Sequence, residues 1–184
     1  QTDASQIVST FEWGLNWTLS SFQNYYLCIH AAVLEKNNKA FILPAPPGSG
    51  KSTLCALLML SGWRLLSDEH CLIDLQNGMI VPAVRPVAIK NRSFAVIKQW
   101  FNQASLQCIQ TNTHKGTVGY LPASDISWQQ HEKNCQPAFV ILPTYSATQA
   151  ATEFLPVAHC DMFLQLVKNS FNYQALGQVG FDTL

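Results

Sequence analysis

Apolar residues fall in short blocks separated by polar turns, and the blocks predict alternating strands and helices. The run YLCIHAAVL at 26–34 is apolar and β-capable, a polar turn breaks it at 35–39, and a second strand follows at 40–44. Residues 46–50 (PPGSG) can form nothing regular. The segment 51–61 (KSTLCALLMLS) has strong helix formers and a broad apolar face, with Gly62 placed to end it. A short buried strand at 63–67 leads to Asp68 and Glu69. Asn77-Gly78 then predicts a hairpin between 70–75 and 79–84, whose second half Pro82 and Pro86 keep near an edge. Residues 93–101 predict a helix with Ser93 as N-cap, 102–115 a polar loop, 138–142 a buried strand, and 161–171 an amphipathic helix. Trp13, Trp63, Trp100, Phe139 and Tyr173 fall in apolar segments and are expected in the core.

The order strand, strand, loop, helix, strand, hairpin, helix, strand, helix is that of an α/β domain with a mixed sheet. We expect residues 1–24 to be an irregular or helical lead-in packed on the core and 25–184 to form the domain proper. Because the chain begins with Gln1, it is expected to be a piece of something longer.

Hydrophobic residues make up 48% of the 184 positions and charged residues only 12%, about half the usual share. A disordered chain is excluded by that balance. Eleven basic and eleven acidic side chains cancel, so nothing favours a dedicated nucleic-acid binder. The six cysteines contain no CxxC and lie far apart, which predicts reduced thiols, a cytoplasmic location and no structural zinc site. Two glycosylation sequons, at Asn16 and Asn91, are too short a pattern to outweigh this. No apolar run reaches the length of a membrane helix.

Against this sparse background one segment carries chemistry: Ala45, Pro46, Pro47, Gly48, Ser49, Gly50, Lys51, Ser52 and Thr53 fit the P-loop pattern, with Ala at its first position. In such a loop the backbone N–H groups and the following helix N-terminus converge on phosphate oxygens. Gly48 and Gly50 allow the close approach, Lys51 would reach the β- and γ-phosphates of a nucleotide, and Ser52 would offer a hydroxyl to Mg²⁺. The bland alternative is a Gly/Pro turn before a helix with an incidental lysine.

Asp68 and Glu69 close the next apolar strand, where α/β sheets gather ligands. One could bind Mg²⁺ and the other accept a proton from an attacking hydroxyl. They could equally be a charged corner. His30 sits within an apolar strand and reads as either a satisfied core residue or a catalyst. Arg85, Lys90, His114 and Lys115 could face phosphate or merely solvent.

His30-Ala31-Ala32, the 45–53 loop, the stretch from Gly62 to Glu69, Arg85-Pro86 and Lys90 together resemble the catalytic domain of HPr kinase/phosphorylase. The chain is most similar to the HprK-related kinase A group, on the blocks EWGLNW (12–17), LPAPPGSGKST (43–53), KGTV (115–118) and FNY (171–173). The resemblance implies a P-loop nucleotide-binding fold with a mixed sheet, related to phosphoenolpyruvate carboxykinase. It further implies Mg²⁺ and ATP as cofactors and a serine of a protein or peptide as acceptor. His30 falls on the family's active-site histidine, and Asp68 and Glu69 on its paired acids, which serve catalysis and metal binding. Glu69 departs from the family's Asp, so base and metal ligand are not distinguished. The phosphorolysis signature is not recognisable. Related proteins accompany a small PqqD-like peptide carrier, and a homo-oligomer is open. Beside a serine kinase stand two other functions, a small-molecule kinase and a nucleotide-binding sensor or scaffold without transfer.

Overall fold

A computed structural model of the chain describes residues 7–46, 48–113 and 115–184. In chain order its elements are α1 (Ile7–Phe22), β1 (Tyr26–Lys36), β2 (Lys39–Pro44), α2 (Lys51–Leu60), β3 (Arg64–Ser67), β4 (His70–Asp74), β5 (Ile80–Val81), β6 (Val87–Lys90), α3 (Ser93–Trp100), β7 (Gln107–Thr113), β8 (Gly116–Leu121), α4 (Asp125–Gln129), β9 (Gln136–Val140), α5 (His159–Asn169), α6 (Tyr173–Leu176) and α7 (Gln178–Thr183).

β1 organises the larger sheet, ordered β5-β4-β1-β2-β9 with β3 also paired to β1. It runs antiparallel to β2, β3 and β4, while β2 and β9 are parallel, so the sheet is mixed as the element order predicts. Alternation along β1 sends successive side chains to opposite faces. Ala32 and Leu34 join Leu43, Leu65 and the helix residues Cys55, Ala56 and Met59 in one core. Leu27, Ile29, Ala31 and Val33 join Ala40, Ile42, Leu66 and Leu166 of α5 in the other. Helices on both faces explain why the 26–34 run is apolar at nearly every position.

Two features of β1's edges position the site. β3 and β4 follow one another along the edge that β2 does not occupy. Ser67 pairs with Val33 and His70 with His30, and Asp68 and Glu69 form a bend between them. The Ala31 N–H donates to the Glu69 carbonyl across that bend, at 3.3 Å. The other edge of β1, before β2 begins to pair at Ala31, is closed by the segment 170–172. There the Phe171 N–H donates to the Cys28 carbonyl at 2.9 Å, and Asn172 Oδ1 accepts the Cys28 N–H at 2.9 Å. Asn172 also donates to the Tyr26 carbonyl at 2.8 Å, so one buried amide satisfies a strand edge that would otherwise be orphaned.

Several expectations are met. The hairpin around Asn77-Gly78 joins β4 to β5, with Gly78 at φ 69°. Gly62, at φ 84°, follows the Ser61 C-cap of α2. All six cysteines are free, four of them buried, and no helix among the described residues is long and apolar enough to cross a membrane.

Others are corrected. The 102–115 segment is not all loop: β7 lies within it and pairs with β8, forming with β6 a second sheet ordered β6-β8-β7. Five of the seven β7 side chains are exposed, so it carries no apolar alternation to announce it. Arg92, not Ser93, is the N-cap of α3. β9 is an edge strand with mostly exposed side chains rather than a buried one. α1 forms, but buries none of its residues in the core. Trp13, Trp100 and Phe139 are 58%, 71% and 49% exposed, whereas Trp63 and Tyr173 do pack against the two cores.

Candidate functional site

β2 ends at Pro44, opposite Ala31, so the chain leaves the sheet one residue from the level of His30. Ala45 is buried, and the Ser49 N–H donates to the Pro46 carbonyl at 3.3 Å, folding the loop back on itself. Gly48 and Gly50 have φ of +86° and +91°, a left-handed conformation that side chains strain to adopt. Gly50 is the N-cap of α2 and accepts the Leu54 N–H at 2.9 Å. The first amides of α2 are therefore presented beside the loop, where an anion is favoured. Thr53 is engaged elsewhere: its hydroxyl donates to Ser93 Oγ at 2.7 Å, tying α2 to α3. Pro47 and His114 lie outside the described residues.

Lys51, the first residue of α2, is buried at 7% exposure, and its Nζ lies 2.9 Å from His30 Nε2. By strand alternation His30 shares the face of Ala32 and Leu34, the face that α2 covers. The same His30 Nε2 lies 3.0 Å from Glu69 Oε2. A single ring nitrogen cannot accept from Lys51 and donate to Glu69 at once. Lys51 and Glu69 thus compete for one ring nitrogen. Burial pulls the Lys51 ammonium below its ordinary pKa, and the nearby Glu69 and Asp68 charges oppose that. Burial by itself would raise Glu69, but the His30 hydrogen bond and the Lys51 charge overcome it and hold the carboxyl at about 2.

Asp68 has the opposite environment. Burial first, and then the adjacent Glu69 charge, push it up to about 6, against the pull of Lys51 and Ser52. The Ala88 N–H donates to its Oδ2 at 3.3 Å, which links the bend to β6 and the second sheet. Two carboxylates side by side with their pKa values driven apart is an arrangement suited to acid–base work.

Two buried oxygens have no hydrogen-bond partner among the described residues: Ser49 Oγ on the loop and Asp68 Oδ1 on the bend. Orphaned oxygens of this kind cost stability and fit a site made for a further ligand. No group of three or more His, Cys, Asp or Glu side chains among the described residues could hold a metal ion by itself. Mg²⁺ bound with a nucleotide needs no such cage, because it takes one or two carboxylates with phosphate oxygens and water. Ser52, Asp68 and Glu69 fit that smaller role.

Beyond Asp68 and Glu69 lies a cavity of about 60 Å³, bounded also by Arg85, Lys90, Lys115 and, from α1, Glu12. Arg85 donates to His70 Nδ1 at 3.2 Å. His70 is buried, and burial with the Arg85 charge pushes it down to about 4, so its ring is neutral and free to accept. The sequence marks Arg85 as phosphate-facing or solvated and gives His70 no role. A second histidine paired with His30 across two strands could be found only once the β1–β4 register is known. Phe171 packs against both rings, at centroid distances of 6.0 and 5.6 Å, and brings the C-terminal segment to the site.

The structure thus brings together His30, the loop with Lys51, and the Asp68–Glu69 pair from three separate strands or strand ends. Lys90 and Arg85 line the same cavity as the two acids. Compared with known proteins, the chain matches no family model, no curated protein and no solved structure.

Proposed function

We propose that the protein transfers the γ-phosphoryl group of ATP to a serine hydroxyl of a protein or peptide, as an HPr kinase-like domain. The observation that supports this most is the convergence of the glycine-bearing loop, the buried Lys51 and the two acids on one spot. In this reading the loop amides and Lys51 hold the β- and γ-phosphates. Ser52 with one of the acids would hold Mg²⁺, which supplies charge neutralisation at the transferring group. Asp68 accepts the serine proton as the oxygen attacks the γ-phosphorus and the bond to the bridging oxygen breaks, leaving ADP. Its carboxyl near 6 is ionised at neutral pH yet basic enough for that task. Glu69, held near 2 and bound to His30, stays charged throughout and suits the metal side. Catalysis is then positioning plus charge stabilisation.

A carboxyl raised to about 6 at Asp68, with Oδ1 unpartnered among the described residues, favours transfer over mere nucleotide sensing, since a sensor has no use for a base. The test is incubation of the full chain with Mg²⁺ and γ-labelled ATP against serine-bearing peptides and a PqqD-like carrier, followed by mass spectrometry. Phosphoserine on an acceptor is expected. Stoichiometric ATP binding with no label on any acceptor would replace the kinase by a sensor.

A further inference from the structure

The cavity beside Asp68 is lined by charges of both signs, with Glu12, Asp68 and Glu69 set against three cations. Arg85, Lys90 and Lys115 line it, three of the eleven basic side chains in the whole chain. Lys90 is near enough to act on the charges of both Lys51 and Glu69. Arg85 is held in place by its 3.2 Å contact with the buried His70 Nδ1, so its guanidinium is aimed and does not sample solvent freely. On the acid side, Asp68 Oδ1 is buried without a partner among the described residues, and Asp68 lines the same cavity.

An anion already sits against these cations, and it comes from the protein. Arg85 donates to Glu12 Oε2 at 3.2 Å and to Asn16 Oδ1 at 2.7 Å, both residues of α1. α1 has no fully buried side chain, although Val8, Leu15 and Leu19 are half-buried, and these contacts with the Ser9 N–H to Gln110 Oε1 bond at 3.2 Å help hold it over the cavity. A helix with no fully buried side chain and partly exposed polar contacts is among the segments most easily displaced by a competing ligand.

We propose that Arg85, with Lys90 and Lys115, forms a subsite for an anionic group of the phosphoryl acceptor, a carboxylate or phosphate near its serine, and that Glu12 fills this subsite from within until the acceptor displaces it. The proposal rests on the phosphoryl-transfer reading, which places the acceptor next to Asp68. It assigns the acceptor a chemical class and gives α1 the role of an internal competitor. The acceptor's anion takes over the Arg85 contact, and α1 lifts from the cavity as the hydroxyl reaches Asp68.

The subsite can be read with small probes while a saturating non-hydrolysable ATP analogue with Mg²⁺ fills the loop. Succinate represents a carboxylate source and inorganic phosphate a phosphate source, and the indole N–H signal of Trp13, which lines the cavity, reports binding. Glu12→Gln is expected to tighten at least one probe by roughly fivefold, the scale on which a partly exposed ion pair competes. The probe that tightens more names the acceptor's group. Arg85→Gln should abolish saturation by both, and Arg85→Lys, which keeps the charge, should restore part of it. Equal affinities in the parent and Glu12→Gln, or no saturation in either, would reduce the Glu12–Arg85 pair to a structural tie and overturn the proposal. If the nucleotide analogue itself fails to saturate, the transfer reading falls. The succinate arm, repeated without nucleotide, still decides whether the subsite exists.

Discussion

Asp68→Asn is expected to unfold at a higher temperature than the parent at pH 8 while transferring phosphate on the order of 10²–10⁴ times more slowly. The two effects share one cause. In the native state the carboxyl titrates at about 6, against 3.8 for an ordinary aspartate. Above pH 6 the folded protein must keep a buried carboxylate that the unfolded chain would hydrate, at a cost of about 3 kcal/mol. Below 3.8 both states are protonated and that cost vanishes. The neutral amide escapes it, so the gain in stability should be full at pH 8 and shrink as the pH falls to 5. The transfer rate of the parent should fall on the acid side with a midpoint near 6, as Asp68 takes up the proton it is needed to remove. Thermal unfolding at the two pH values, with a transfer assay on the same samples, checks this. A variant that gains no stability at pH 8, or that keeps full transfer, removes Asp68 from the mechanism.

Lys51→Ala should remain folded and lose affinity for Mg²⁺-bound ATP by about tenfold to a hundredfold, the worth of a charge-assisted hydrogen bond in a buried site. The fold survives because burial works against this ammonium, so removing it relieves a desolvation cost while Glu69 keeps its bond to His30. The affinity falls because the loop would then offer phosphates its amides alone, beside two carboxylates whose charge nothing at that position offsets. Titration calorimetry with matched circular dichroism spectra measures both. Unchanged affinity in a folded variant would mean that the loop is a turn and not a phosphate cradle.

What could be read from the residues divides along physical lines. The loop, its helix and the hairpin at Asn77-Gly78 were legible because glycine placement and helix composition are local signals. Asp68 and Glu69 were legible as a pair, but not as a bend between two strands sharing one edge of β1, since that depends on register. The second sheet was hidden because β7 is polar and largely exposed, so it looks like loop until β8 pairs with it. Hydrophobicity alone places Trp13 and Trp100 in the core, yet both lie largely in solvent. Asn172 closing the edge of β1, and His70 holding Arg85, depend on residues far apart in the chain, where no spacing rule reaches.

Phosphate bound in the loop is expected to take Lys51 away from His30, and the imidazole itself can report it. His30 Nε2 faces Lys51 at 2.9 Å and Glu69 at 3.0 Å, and it can satisfy only one of them. Nitrogen-15 spectra of histidine-labelled protein should therefore show a single, saturable change at His30 on adding Mg²⁺ and ATP. The Nε2 signal shifts as Lys51 turns from it to the phosphates, and Lys51→Ala shows the shifted signal before any nucleotide is added. His30 signals that stay unmoved at millimolar Mg²⁺ and ATP would contradict the account.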